Sequence, residues 1–136
     1  MRLAVDTGAL LATLDGTSDA LVKLAERGAQ LVMTPVNMAE AYYVLCRRLG
    51  EAEAAAIVKD LVESDVVHVV SPPGVHVEAA RCKCRNSIAL ADCYSISLAR
   101  RLGIKAVFNR ERELEEAMGR DPQLARLIVF LDQLQH

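Results

Sequence analysis

Short, nearly uninterrupted apolar runs recur along this chain, and each is followed by a segment long enough for one or more helices. The runs are Arg2–Val5, Gln30–Met33, Val66–Val70 and Lys105–Phe108, with a fifth, weaker one at Leu127–Leu131 after Pro122. Runs this short match strands, and the β-branched content of the third strengthens that assignment. Strands that alternate with helices, and that lack an alternating polar face, point to a parallel sheet covered on both sides. The expected fold is therefore a three-layer α/β/α sandwich with a central parallel sheet, formed as one domain over residues 1–136, with Leu127–Leu131 as an edge strand.

The helix signals agree. Thr7–Leu14 follows the first strand. Ser18 is placed to cap a helix over Asp19–Arg27, which Gly28 ends. Thr34-Pro35 combines a capping hydroxyl with proline at the first helical position and opens a helix to Leu49, stopped by Gly50. Glu51–Ser64 is a further helix. Ser71-Pro72-Pro73 breaks the chain before a helix through Lys83. Asn86-Ser87 is expected to open a helix over Ile88–Leu102, closed by Gly103, and Arg110–Met118 is a short charged helix.

Composition narrows the class of function. The hydrophobic fraction is 52% with only 4% aromatic, so Ala, Leu and Val must fill the core. No apolar stretch approaches a membrane span, and the early acid at Asp6 argues against a secretory signal, so a soluble cytoplasmic protein is expected. The net charge of -2 excludes a generally basic nucleic-acid binder; contact with RNA or DNA would need a local patch or bound metal. Arginines cluster at Arg47-Arg48, Arg81–Arg85 and Arg110–Arg112, a pattern that also suits a solvated surface. Cys46, Cys82, Cys84 and Cys93 form no CxxC pair, and Cys82 and Cys84 with His76 lack the spacing of common zinc sites. His68, His76 and His136 carry no signal.

In an open parallel sheet, ligands bind beyond the carboxyl ends of the strands. Asp6 stands directly after the first strand, where helix capping is the competing explanation. Glu40 is the only charged residue between Val32 and Cys46. An unpaired carboxylate there needs water, a cation or a proton, because desolvation costs several kcal/mol; a solvent-facing position is the alternative. Asn37 shares its face one turn earlier. Asp92 is the only charge from Ile88 to Ile96, with Ser95 on the same face, and helix-dipole placement is its alternative explanation. After the fourth strand, Glu111 and Glu113 are both available within a charged stretch. Carboxylates brought together repel unless a cation neutralises them, and an all-oxygen set suits Mg²⁺ or Mn²⁺.

At three segments, Leu3-Ala4-Val5-Asp6-Thr7, Thr34-Pro35-Val36-Asn37-Met38-Ala39-Glu40 and Ser87-Ile88-Ala89-Leu90-Ala91-Asp92, the chain resembles the PIN domain family, in particular the VapC-type toxin ribonucleases. The resemblance implies a Mg²⁺- or Mn²⁺-dependent endoribonuclease, the toxin of a type II toxin–antitoxin pair, with RNA as substrate, a cognate antitoxin and a homodimeric state. It assigns Asp6, Glu40 and Asp92 to the family's three acidic positions and Thr7 to a supporting hydroxyl. The family's Thr-Gly-Asp-like turn is here Asn109-Arg110-Glu111. Glu111 takes its acidic position, with Glu113 a close second. The longer carboxylate implies a weaker or displaced second metal. Asn109 and Arg110 are the expected phosphate contacts, with Arg112 and Arg85 beside them. Two other readings compete with this one. One is a non-catalytic PIN-like nucleic-acid-binding or regulatory module. The other is a mononucleotide-binding α/β protein, disfavoured by the lack of a Gly-rich phosphate loop.

Overall fold

The computed structural model describes residues 1–134. The last two positions of the expected domain, including His136, lie outside the described residues. In chain order the elements are β1 (Arg2–Val5), α1 (Thr7–Leu14), α2 (Ala20–Glu26), β2 (Gln30–Met33), α3 (Pro35–Leu49), α4 (Glu51–Glu63) and β3 (Val67–Val69). They continue with α5 (Val75–Arg85), α6 (Leu90–Leu102), β4 (Lys105–Phe108), α7 (Arg112–Arg120), α8 (Pro122–Leu127) and β5 (Ile128–Phe130), ending in a 3₁₀ turn at Leu131–Gln133.

The five strands form one sheet in the order β3-β2-β1-β4-β5, and every pairing is parallel. The chain moves outward from β1 through β2 to β3, then returns to β4 on the other side of β1. The order therefore reverses between β1 and β4, which places the switch point of the sheet beyond Val5 and Phe108.

Strand alternation divides the core into two layers. Leu3 and Val5 of β1, Leu31 and Met33 of β2 and Val107 of β4 pack with Ala9, Leu10, Leu21, Leu24, Met38 and Ala41 of α1–α3. On the opposite face, Ala4, Val32, Ala106, Phe108, Ile128 and Phe130 meet residues of α5–α8, among them Ile96, Leu98, Leu114 and Leu124. The result is helix, sheet, helix, as expected. Right-handed crossovers account for the split: connections running toward β3 and those running toward β5 must leave the sheet on opposite faces.

Three local expectations change. The α6 helix begins at Leu90, not Ile88, because Asn86 instead ends α5, its side-chain amide donating to the Cys82 carbonyl at 3.1 Å. Ala89 is the N-cap residue of α6 and makes no side-chain capping bond, so Asp92 falls within the first turn. The α2 helix begins at Ala20, although Ser18 does accept from the Ala20 N–H at 3.3 Å. The α8 helix was not anticipated; Asp121 caps it by accepting from the Gln123 N–H at 3.0 Å, with Pro122 at its first position. The four cysteines are free thiols. Among the described residues no helix is long and apolar enough to cross a membrane.

Ile96 is fully buried at the centre of α6, the helix that carries Asp92. Ile96→Ala should lower unfolding free energy by about 2–5 kcal/mol, read as a reduced urea midpoint at unchanged slope. A loss below about 0.5 kcal/mol would mean that α6 is not seated in this core.

Candidate functional site

The site begins with the backbone of Asp6. Its N–H donates to the Val107 carbonyl of β4 at 2.9 Å, and its carbonyl accepts from the Leu10 N–H at 3.0 Å as α1 starts. Its side chain caps α1, with Oδ2 accepting from the Gly8 N–H at 3.3 Å. The capping role weighed from sequence is therefore present. It accounts for one oxygen only.

The other oxygen, Oδ1, accepts from the Ser95 hydroxyl at 2.7 Å and from the Asn37 amide at 3.4 Å. Ser95 belongs to α6 and Asn37 to α3, so one carboxylate ties together both helical layers. Asn37 is fully buried. Its amide also donates to the Ala91 carbonyl at 2.9 Å, and its Oδ1 accepts from the Thr34 hydroxyl at 2.5 Å. Thr34 accepts in turn from the Asn37 N–H at 3.1 Å, the N-cap bond of α3. Thr7, next in sequence to Asp6, donates to the Asn37 carbonyl at 3.1 Å and so anchors α3.

Four acids share this end of the sheet. Burial pushes the Asp6 carboxyl up to about 6, aided by the charges of Glu40 and Glu111 and opposed by the Ser95 and Gly8 hydrogen bonds. Burial also pushes Asp92 up to about 7, with Asp6, Glu111 and Glu40 all adding repulsion against a backbone hydrogen bond at Ala89. Glu111 is raised by partial burial, then by Glu113 and Glu40. Every pairing among Asp6, Glu40, Asp92 and Glu111 is thus repulsive. Glu113 adds its repulsion to Glu111. The Glu111 carboxylate also lies 4.0 Å from where a β-carbon would stand on Gly8, a point 3.8 Å from both Asp6 Oδ2 and the Asn109 β-carbon. Glu111 is the acid whose carboxylate reaches Gly8 and whose charge acts on Asp6 and Asp92. It does so because it ends the β4 loop, whereas Glu113 is already in the first turn of α7.

The structure departs from the sequence argument at Glu40. This side chain is exposed on α3, so water meets the need that its apolar neighbours suggested. What distinguishes it is its proximity to Asp6 and Asp92. Arg110 also has a different setting from the one expected. Its guanidinium pairs with both Asp132 oxygens at 2.7 Å, reaches Glu115 at 3.2 Å and lies 4.3 Å above the Phe130 ring. Arg112 pairs with Glu116 at 3.1 Å. Asn109 is exposed beside Gly8, within the group. Ser95 was noted from sequence only as a neighbour of Asp92; the i+3 spacing was the signal, and its bond to Asp6 is the new element.

The donor set consists of oxygens, and its members repel one another while two of them are held away from water. A hard divalent cation would relieve both costs, so these residues fit Mg²⁺ or Mn²⁺. Among the described residues, no three acidic, histidine or cysteine side chains stand close enough together, as they are placed, to hold a metal ion.

The PIN domain family model matches residues 3–119. Among solved structures, the chain is similar to the Mycobacterium tuberculosis toxin VapC20, described as cleaving the sarcin–ricin loop: 22% identity over 84% of this chain and 94% of that one, TM-score 0.64. It is also similar to VapBC-1 of nontypeable Haemophilus influenzae, at 15% identity over 97% and 99% of the two chains, TM-score 0.69. DNA-bound VapBC of Salmonella typhimurium matches at 14% identity over 96% and 98%, TM-score 0.72. At these identities the likeness carries the fold. No curated protein sequence matches the chain.

Because the native state raises Asp6 from its ordinary value of 3.8 to about 6, it binds this proton more tightly than the unfolded chain. Stability should therefore fall as pH rises from about 4 to about 6, by on the order of 3 kcal/mol for this group. Asp6→Asn, which retains a capping oxygen, should remove that part of the slope in urea denaturation with chelator present. An unaltered slope in the variant would contradict the assignment.

Proposed function

We propose that this chain, which belongs to the PIN domain family, is a Mg²⁺- or Mn²⁺-dependent endoribonuclease. On this reading, residues 1–136 form a single nuclease domain that hydrolyses RNA phosphodiester bonds in the cytoplasm, as the toxin of a type II toxin–antitoxin pair. The carrying observation is the mutual repulsion of Asp6, Glu40, Asp92 and Glu111 at the β1/β4 switch point, with Asp6 and Asp92 raised to about 6 and about 7. Such an arrangement is unfavourable on its own and becomes favourable with a divalent cation between the carboxylates.

Asp6, Glu40, Asp92 and Glu111 are the residues that would hold metal. A bound divalent ion supplies an activated water and a counter-charge for the phosphoryl oxygens and the leaving oxygen. The protein's own contribution is orientation. Ser95 and Asn37 fix the plane of the Asp6 carboxylate, and the Asn37–Ala91 bond holds the start of α6, and hence Asp92, against α3. Gly8 adds no side chain between Asp6, Asn109 and Glu111. Asn109, exposed at the same edge, is available to a substrate oxygen.

The toxin assignment draws on the likeness to VapC20 and to the two VapBC structures. A cognate antitoxin and a second copy of the chain are the partners this reading implies. An apolar groove over α3 and the edge strand β3 suits such contacts. It is lined by Pro35, Met38, Tyr42, Tyr43 and Val69, and Tyr43 is 62% exposed. Leu45, on the same helix, faces the core.

Cleavage of single-stranded RNA should be abolished by EDTA and restored by Mn²⁺. Asp92→Asn should reduce it by about 100-fold or more with an unchanged circular dichroism spectrum, and in chelator near neutral pH it should raise the urea midpoint, because it removes a charge that burial and the neighbouring acids disfavour. Activity that survives both chelation and Asp92→Asn would refute the proposal.

A further inference from the structure

Away from the acids, α5, α6 and the start of α8 line a surface pocket of about 150 Å³, with exposed arginines at its rim. That is room for about five water molecules. Three arginines line it: Arg81 and Arg85, one turn apart on α5, and Arg100 on α6. Among the described residues none of the three is in an ion pair, in contrast with Arg101, Arg110 and Arg112, which are. The two carboxylates of the cavity have other work. Glu78 Oε1 pairs with Arg101 at 3.0 Å while its Oε2 is buried without a hydrogen-bond partner, and Asp121 caps α8 but keeps its charge, so three arginines face one uncompensated carboxylate. The cavity is therefore net positive in a chain whose formal charge is -2.

Arginines without carboxylate partners, held on packed helices around a small polar hollow, are the chemistry that recognises phosphate. The placement relates this hollow to the acids. Arg100 sits two helical turns beyond Asp92 on α6, about 12 Å along the axis and roughly a quarter of a revolution around it. Arg85 ends α5 just before the Asn86–Ala89 connection that leads into the turn carrying Asp92.

We propose that Arg81, Arg85 and Arg100 form a second phosphate site, which holds the backbone of an RNA strand outside the linkage being cut. This rests on the ribonuclease reading for its choice of ligand. Of the arginines expected at phosphate it keeps Arg85, and it replaces Arg110 and Arg112, which pair with acids, by Arg81 and Arg100, which among the described residues do not. The α6 helix then serves both ends of the substrate, presenting Asp92 at its first turn and Arg100 near its last.

The test uses the full chain in EDTA, with a mixed-sequence single-stranded RNA of about 12 nucleotides followed by fluorescence anisotropy. Each phosphate contact to a single strand contributes about 0.7 to the slope of log K against log salt. The triple variant Arg81→Gln, Arg85→Gln, Arg100→Gln should lower that slope by about 2 and weaken binding at low salt at least tenfold. The corresponding triple Arg→Lys variant should keep most of the slope. Isothermal titration with Mn²⁺ should not distinguish the Gln variant from wild type. Equal RNA affinity and slope in wild type and the Gln variant would overturn the proposal, as would binding of inorganic phosphate by the wild type with no binding of RNA. If the wild type shows the arginine-dependent slope but cleaves nothing with Mn²⁺, the nuclease reading fails and the phosphate site stands. If it cleaves and the slope is indifferent to the arginines, the reverse holds.

Discussion

A single buried carboxylate organises this molecule. Asp6 is 5% exposed at the end of the central strand, where an ionised group has lost most of its hydration. Three donors from three elements compensate: the Gly8 amide of α1, the Asn37 side chain of α3 and the Ser95 hydroxyl of α6. Each bond is a modest stabilisation by itself. Together they fix where both helical layers meet the sheet, because moving any one of them strands a buried charge. Even so the carboxyl is pushed up to about 6, which means that the native hydrogen bonds offset burial only in part. The remaining deficit is what a cation can remove.

The location of that deficit follows from topology. Reversal of strand order between β1 and β4 opens a crevice where Asp6 and the Asn109–Glu111 turn stand side by side. The two helical layers close on the crevice from opposite faces. One brings Glu40 on α3 and the other brings Asp92 on α6, and Asn37 bridges them by donating to both Asp6 and Ala91. No segment of the chain holds two of these four acids close together. Their repulsion exists only in the folded state, so the fold stores an unfavourable electrostatic energy at one place while the two apolar cores supply the stability that tolerates it.

Much of this was legible in the sequence, because the strands are short and apolar. The limits of β1, β2 and β4 and of α1 and α3 were read correctly, and Gly50 and Gly103 mark helix ends that need positive φ, at 92° and 68°. Boundaries set by tertiary contacts were harder. Asn86 looks like the start of α6 but serves as the end of α5, and α8 hides behind a proline that could equally have preceded a strand. The acids stood out as isolated charges in apolar segments, yet isolation has two causes. For Asp92 it reflects partial burial, whereas for Glu40 it reflects an exposed position on a helix whose other face is core. The choice between Glu111 and Glu113 could not be made from spacing. It depends on which carboxylate turns toward Gly8. The arginines were the least legible residues. Whether one is free to meet a phosphate depends on acids elsewhere in the chain, and Arg110 is claimed by Asp132, 22 residues later.

The central claim is that Asp6, Glu40, Asp92 and Glu111 form one cation site. Crystals soaked in Mn²⁺ and measured at the manganese absorption edge test it most directly. The account predicts anomalous density among these four carboxylates, absent when Asp6 is replaced by Asn. Anomalous density only at other surface acids, or its persistence among these side chains in Asp6→Asn, would contradict it.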